Sequence, residues 1–240
     1  MPSFQLAPGQ PALFVGPMRS GKSNLIAYLL EDVPSVVIID SKRHPDEWAR
    51  WGPRHGYVVT SDPAEIGRRP KVVWQVSMQT LLDVSGWRKQ GSAGYTWTDG
   101  LMRIMRRGST VVVFDELVHV LPAGRPHPAA VQILTQGGAY KLSAWGGSQY
   151  ANRVETMIVR GAVHAFSFNL NPYDLRLLGE KRGADASALA ELPEYGFGYH
   201  LTNTPAWQLC QPVDRVLAAG AAPAAAREPA GAPPPPDEAA

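Results

Sequence analysis

Cysteine is almost missing from this chain. Cys210 stands alone among 240 residues, which excludes an internal disulfide and a cysteine-based zinc site and suits a reducing compartment. No apolar run approaches 18 residues, so no transmembrane segment is expected. The first residues lack the basic-then-apolar order of a secretory leader, and the expected location is the cytoplasm. A strong charge of either sign is missing too. The formal net charge is +2, and because Arg227 is outweighed by Glu228, Asp237 and Glu238, the body before residue 217 carries about +4. That excess permits nucleic-acid binding without arguing for it. From Leu217 onward the chain has little besides Ala, Pro and Gly, with no apolar periodicity to bury. Residues 217–240 are therefore expected to form a disordered tail behind one domain over 1–216. No internal repeat is visible.

What the chain does have is Gly16, Pro17, Met18, Arg19, Ser20, Gly21, Lys22 and Ser23, reading G-x-x-x-x-G-K-S. The apolar residues 12–15 precede it and the amphipathic residues 25–30 follow, a strand, tight loop and helix. Glycines let successive N–H groups turn inward around phosphate oxygens, and the helix adds the positive end of its dipole. Lys22 would reach the β- and γ-phosphates of ATP or GTP, and the Ser23 hydroxyl would ligate Mg²⁺.

Continuous β-branched runs at 35–40 and 110–114 read as buried strands, and 57–60 and 72–76 are strand-like. A short helix is expected over 46–51, stopped by Gly52 and Pro53, and a second over 98–107. Further on, a helix over 129–139, a strand over 142–145 ending at Gly146, a helix near 154–159 and a strand over 162–168 are expected. Two short helices and a hairpin over 196–211 close the domain. Alternation of this kind argues an α/β fold, a mostly parallel sheet with helices on both faces.

A phosphate loop alone does not separate kinases, GTPases and motor ATPases. The run 110–114 adds Asp115 and Glu116 at the carboxyl end of a buried strand, where ligands of open α/β sheets bind. Asp115 would hold Mg²⁺ as the Walker B aspartate, and Glu116 would polarise an attacking water. Such a tandem suits P-loop ATPases with an extra strand between the loop strand and the Walker B strand. Gln149, after the strand and Gly146-Gly147-Ser148, offers an amide that can read a γ-phosphate by hydrogen bonding.

Together these motifs resemble the FtsK/HerA superfamily of DNA-translocating ATPases, and among them the genome-packaging ATPases of tailless icosahedral viruses with an internal membrane. The run 36–42, V-V-I-I-D-S-K, is similar to that family's second strand with its D-x-K ending, and Ser148-Gln149 stands where Thr-Gln is usual. The resemblance covers roughly residues 10 to 180. It implies a RecA-like P-loop ATPase sheet, ATP and Mg²⁺ as cofactors, and a homo-oligomeric ring, pentamer or hexamer, acting on double-stranded DNA. Viral capsid vertex or portal proteins are implied as further partners, in the host cytoplasm and at the packaging vertex of the virion. The chain departs from the family at Gly138, where the resemblance expects an arginine that acts across subunits. Lys141, Arg153 and Arg160 are the candidate replacements, with Arg153 preferred for its place just past Gln149.

DNA contacts need Lys and Arg against phosphates. The candidates are Arg103, Arg106 and Arg107, and the cluster Trp87, Arg88 and Lys89 beside Tyr95 and Trp97; most tryptophans are expected in the core. Alternative readings are a DNA-transfer or partition ATPase and a nucleotide-binding phage assembly or secretion protein. A small-molecule kinase fits poorly, since it predicts an arginine-rich lid and no Asp-Glu tandem.

Overall fold

The computed structural model describes residues 4, 6–77, 80, 92–121 and 127–217. The apolar runs become nine strands of one sheet: β1 (Ala12–Val15), β2 (Val36–Asp40), β3 (Val58–Thr60), β4 (Lys71–Gln75), β5 (Thr110–Phe114), β6 (Leu142–Ser148), β7 (His164–Ser167), β8 (Phe197–Leu201) and β9 (Gln208–Cys210). Their spatial order is β3-β4-β2-β5-β6-β1-β7-β8-β9. The pairings from β3 through β7 are parallel, and β8 and β9 add an antiparallel edge. The fold is α/β, with β6 inserted between the loop strand β1 and the acid-bearing strand β5.

Successive strand residues point to opposite faces, and each face buries its own set of helices. One face sets Phe14, Val36, Ile38 and Val113 against α1 (Lys22–Leu30) and α2 (Trp48–Arg54). The other sets Leu13, Ile39, Val112 and Phe114 against α3 (Ser92–Arg107), α5 (Pro128–Gln136), α6 (Thr156–Gly161) and α7 (Pro172–Arg182). A single turn, α4 (Leu117–Val120), follows β5 directly.

Several elements run further than expected. Gly52 and Pro53 do not stop α2: the helix continues to Arg54, closed by His55 N–H on Gly52 O at 3.0 Å and Gly56 N–H on Pro53 O at 3.4 Å. Proline lacks an N–H, but near a helix end that removes one bond rather than the helix. Strand β6 does not end at Gly146; it runs through Ser148 because partners flank it on both sides.

The proposed DNA-facing groups divide. Arg107 is a structural clamp, donating to Ile66 O at 2.9 Å, to Ser35 Oγ at 2.9 Å and to Pro70 O, so it ties α3 to the turns before β2 and β4. Arg103 pairs with Asp99 at 2.7 Å one helical turn away, and Arg106 is exposed. Trp97 is fully buried and stacks on Trp74 with ring centroids 5.3 Å apart, which removes it as a base-stacking surface. Trp87, Arg88 and Lys89 lie outside the described residues, as do residues 218–240 of the expected tail; nothing is described of the Tyr95 side chain. Leu217, expected as the first tail residue, packs with Val213 and Val216 against the α1 side of the sheet. No helix among the described residues is long and apolar enough to cross a membrane.

Candidate active site

The loop after β1 is pinned on both sides. Gly16 N–H donates to Ser148 O at 3.1 Å, and Phe168 N–H donates to Val15 O at 2.8 Å, so the loop leaves the sheet between the ends of β6 and β7. Gly21 takes φ 102°, a left-handed conformation open to glycine, and α1 starts from it with Leu25 N–H on Gly21 O at 2.9 Å. Lys22 is buried, and its ammonium closes onto the loop's own carbonyls, Gly16 O at 2.6 Å and Pro17 O at 2.7 Å. Burial, followed by the charge of Lys42, lowers its pKa to about 8.

The acids arrive from β5. Asp115 and Glu116 follow Phe114, and both side chains are buried. Ser23 Oγ lies 3.5 Å from Asp115 Oδ1, and Lys42 Nζ pairs with Asp115 Oδ2 at 3.0 Å. Burial opposes the charge of Lys42, but Asp115 and Glu47 outweigh it and raise its pKa. Glu116 Oε2 accepts from Gln149 Nε2 at 3.1 Å, while Glu116 Oε1 has no hydrogen-bond partner among the described residues. Burial, with Asp115 adding to it, raises the Glu116 pKa against the opposing pull of Lys42 and Gln149.

Lys22, Ser23, Asp115, Glu116 and Gln149, which come from three separate parts of the chain, therefore meet at the carboxyl ends of β1, β5 and β6. Beside them opens a hollow of about 460 Å³ lined by Ser20, Lys22, Ser23, Lys42, Glu47 and Gln149. Its chemistry fits a Mg²⁺-nucleotide. The hydroxyl of Ser20 and one oxygen of Glu116 are buried with no hydrogen-bond partner among the described residues. Ser23 and Asp115 offer adjoining oxygens, and Lys22 is held by carbonyls that a phosphate can replace. Among the described residues no group of three or more His, Cys, Asp or Glu could hold a metal by itself. Mg²⁺ commonly takes one or two carboxylates together with substrate phosphates, and Asp115 beside the Ser23 hydroxyl offers such a set.

Lys42 was not among the expected site residues, although the D-x-K ending of the run 36–42 was visible. Its importance follows from the pairing of β2 with β5, which sets that ending beside Asp115. The cations proposed to act across subunits are not brought to this cluster. Arg153 is exposed, 5.4 Å over the Tyr150 ring, and does not line the hollow. Lys141 precedes β6, and Arg160 lies near the end of α6 just before β7, so both sit at the amino ends of those strands, opposite the carboxyl ends where the loop lies. Gly138 faces the backbone of Gly9, where an added Cβ would stand 3.3 Å from Gly9 O. A larger residue there would need that backbone to give by a few tenths of an ångström.

No protein-family model matches the chain, and no curated protein matches it significantly. Solved structures do. The genome packaging NTPase B204 from Sulfolobus turreted icosahedral virus 2, in complex with sulfate, superimposes with a TM-score of 0.69 at 19% identity, covering 88% of this chain and 100% of that one. The same protein in complex with ATP-gammaS gives 0.68 at 19%, covering 87% and 100%. B204, the DNA-packaging ATPase from Sulfolobus Turreted Icosahedral Virus, gives 0.65 at 18%, covering 86% and 99%. The likeness is one of fold. It is the RecA-like P-loop ATPase fold that the resemblance implied, matched over nearly the whole of those chains.

Proposed function

We propose that this chain is a Mg²⁺-dependent ATPase that assembles as a homo-oligomeric ring and moves double-stranded DNA, packaging a viral genome into a preformed capsid. The observation that supports hydrolysis best is the buried Glu116 carboxylate, bonded on one oxygen to Gln149 and without a partner among the described residues on the other, beside Lys22, Ser23 and Asp115. Ser23 and Asp115 would hold Mg²⁺, which when bound draws negative charge off the terminal phosphate. Lys22 would leave the Gly16 and Pro17 carbonyls for the phosphate oxygens. Glu116 would orient a water and receive its proton, and its raised pKa favours that acceptance. Gln149 holds Glu116 in place, so a change at the phosphate would reach β6 through that bond. The DNA-moving part of the reading rests on the fold likeness to a packaging NTPase and on the motif set.

The test is ATP hydrolysis measured with and without duplex DNA, alongside a salt-titrated DNA-binding assay. Duplex DNA is expected to stimulate hydrolysis, and binding is expected to weaken steeply as salt rises. Hydrolysis with no DNA binding at low salt would sink the motor and leave a nucleotide-driven assembly protein.

A second expectation concerns protons. With its pKa near 8 in the free site, Lys22 is largely neutral at pH 9, whereas phosphate oxygens stabilise its ammonium form. ATP binding at pH 9 should therefore take up close to one proton, and at pH 7 close to none. Calorimetric titration in two buffers of different ionisation enthalpy measures this, and Lys22→Met should abolish the uptake. Equal uptake at both pH values would contradict the lowered Lys22 pKa.

A further inference from the structure

The phosphate loop has two ends, and the second one opens onto a separate hollow. Glu116 and Gln149 mark where the terminal phosphate would lie. In loops of this type the α- and β-phosphates rest on backbone N–H groups at the start of the helix. The nucleoside must therefore leave the loop past Gly21 and Asn24, away from Glu116. A hollow of about 390 Å³ lies there, within the range of small-molecule sites, sharing Gly21, Asn24 and Glu47 with the phosphate hollow.

Its walls are aromatic. Tyr195 stands at φ 62°, in the left-handed region that few residues with side chains adopt, and the residue is 40% exposed. The Tyr195 and Phe168 rings both face Gly21: a Cβ added at Gly21 would lie 3.5 Å from Tyr195 Cδ1 and 3.4 Å from Phe168 Cε1. The Arg215 guanidinium lies 5.6 Å from the centre of the Tyr195 ring. Backbone held out of its ordinary region, with an aromatic ring left partly open beside a ligand loop, is the pattern of stored strain at a functional site.

The far wall is tied to the loop's own helix. Asn24 Nδ2 donates to Asp214 O at 2.9 Å, and Asn24 Oδ1 accepts from Val216 N–H at 2.7 Å and Leu217 N–H at 3.1 Å. The second residue after Lys22 thus fastens the segment carrying Arg215 over the first turn of α1.

We infer that this hollow is the nucleobase subsite, where Tyr195, steadied by Arg215, stacks on a purine and the Asn24 tether keeps the wall closed. It rests on the nucleotide reading above and assigns the class of base. A stacking platform accepts any base, since each has a π-face, and the two-ring purine offers it more area to cover than the single pyrimidine ring.

Calorimetric titration of the full chain with Mg²⁺-ATP and with Mg²⁺-tripolyphosphate, which has no base, separates the two ends of the site. Tyr195→Ala is expected to weaken ATP by about 5- to 150-fold, the range for loss of one base–aromatic stack, and to leave tripolyphosphate unchanged. Tyr195→Trp should restore ATP affinity, and Arg215→Ala should weaken ATP by less than Tyr195→Ala does. In wild-type chain ATP should outbind CTP. Unchanged ATP affinity in Tyr195→Ala, or equal losses for ATP and tripolyphosphate, would overturn the subsite while leaving the nucleotide reading intact. A wild-type chain that binds neither probe would overturn both.

Discussion

Glu116→Gln is expected to lower ATP hydrolysis by about 10²- to 10⁴-fold, the usual worth of a positioned general base, while the protein still binds ATP. Glutamine keeps the shape of the site, and its carbonyl oxygen can still accept from Gln149 Nε2, now at 3.1 Å from Glu116 Oε2. What it loses is the ability to take a proton. The same change should raise the melting temperature at neutral pH. The Glu116 carboxyl has its pKa raised by burial, so its charged form is disfavoured in the fold. A group of that kind supports the fold most below its unfolded pKa, and the support is lost as pH rises through the folded value. Glutamine carries no charge and removes that cost at pH 7. Steady-state hydrolysis, ATP titration and a thermal melt on one preparation test all three statements. Wild-type hydrolysis in Glu116→Gln would remove Glu116 from the mechanism, and lost ATP binding would make its role structural.

Gly147→Ala is expected to damage the site from behind. A Cβ at this position would stand 2.6 Å from Asp115 O and 3.3 Å from the Asp115 carbonyl carbon. Both are backbone atoms, so they cannot turn aside, and the end of β5 must shift against β6. Inserting a methyl into packed structure costs about 1–3 kcal/mol. At this chain length that lowers the melting temperature by about 2–4 °C per kcal/mol. Misplacement of reacting groups by about 1 Å can cost about 10²-fold in rate, and Asp115 and Glu116 are the groups displaced. Gly146→Ala is the control. Its Cβ would meet Leu117 Cδ1 at 2.7 Å and Leu117 Cδ2 and Cγ at 3.0 Å, all atoms of one side chain and none of the backbone, so the smaller loss is expected there. Thermal melts and hydrolysis rates of the two variants decide between these outcomes. Equal, wild-type-like rates would show that the closeness of Gly147 to Asp115 does not govern the site.

Much of this architecture was legible along the chain because it is locally encoded. The β-branched runs at 36–40 and 110–114 are long, uninterrupted and buried on both faces, and they became β2 and β5. Residues 16–23 carry their own geometry, since glycine permits φ 102° at Gly21 wherever the loop is placed. Boundaries were less legible. Gly52 and Pro53 are ordinarily breakers, yet α2 passes through them, because packing of Trp48 and Trp51 into the core outweighs one lost bond. Arg107 read as a candidate DNA contact, and no local pattern could have told that three groups from the turns before β2 and β4 would surround it.

By itself the sequence determined that a glycine-bearing loop joins a strand to a helix and that two acids end a buried strand. It also placed an amide at the end of another. Only the tertiary structure decided that these strand ends are neighbours, with β6 between β1 and β5 bringing Gln149 within 3.1 Å of Glu116. It likewise decided that Lys42 reaches Asp115 at 3.0 Å and that Asn24 holds the segment bearing Arg215 beside Tyr195. The reason is physical. Side-chain periodicity and backbone preference act within a few residues, whereas strand order is chosen by which apolar faces can be buried together across the whole chain.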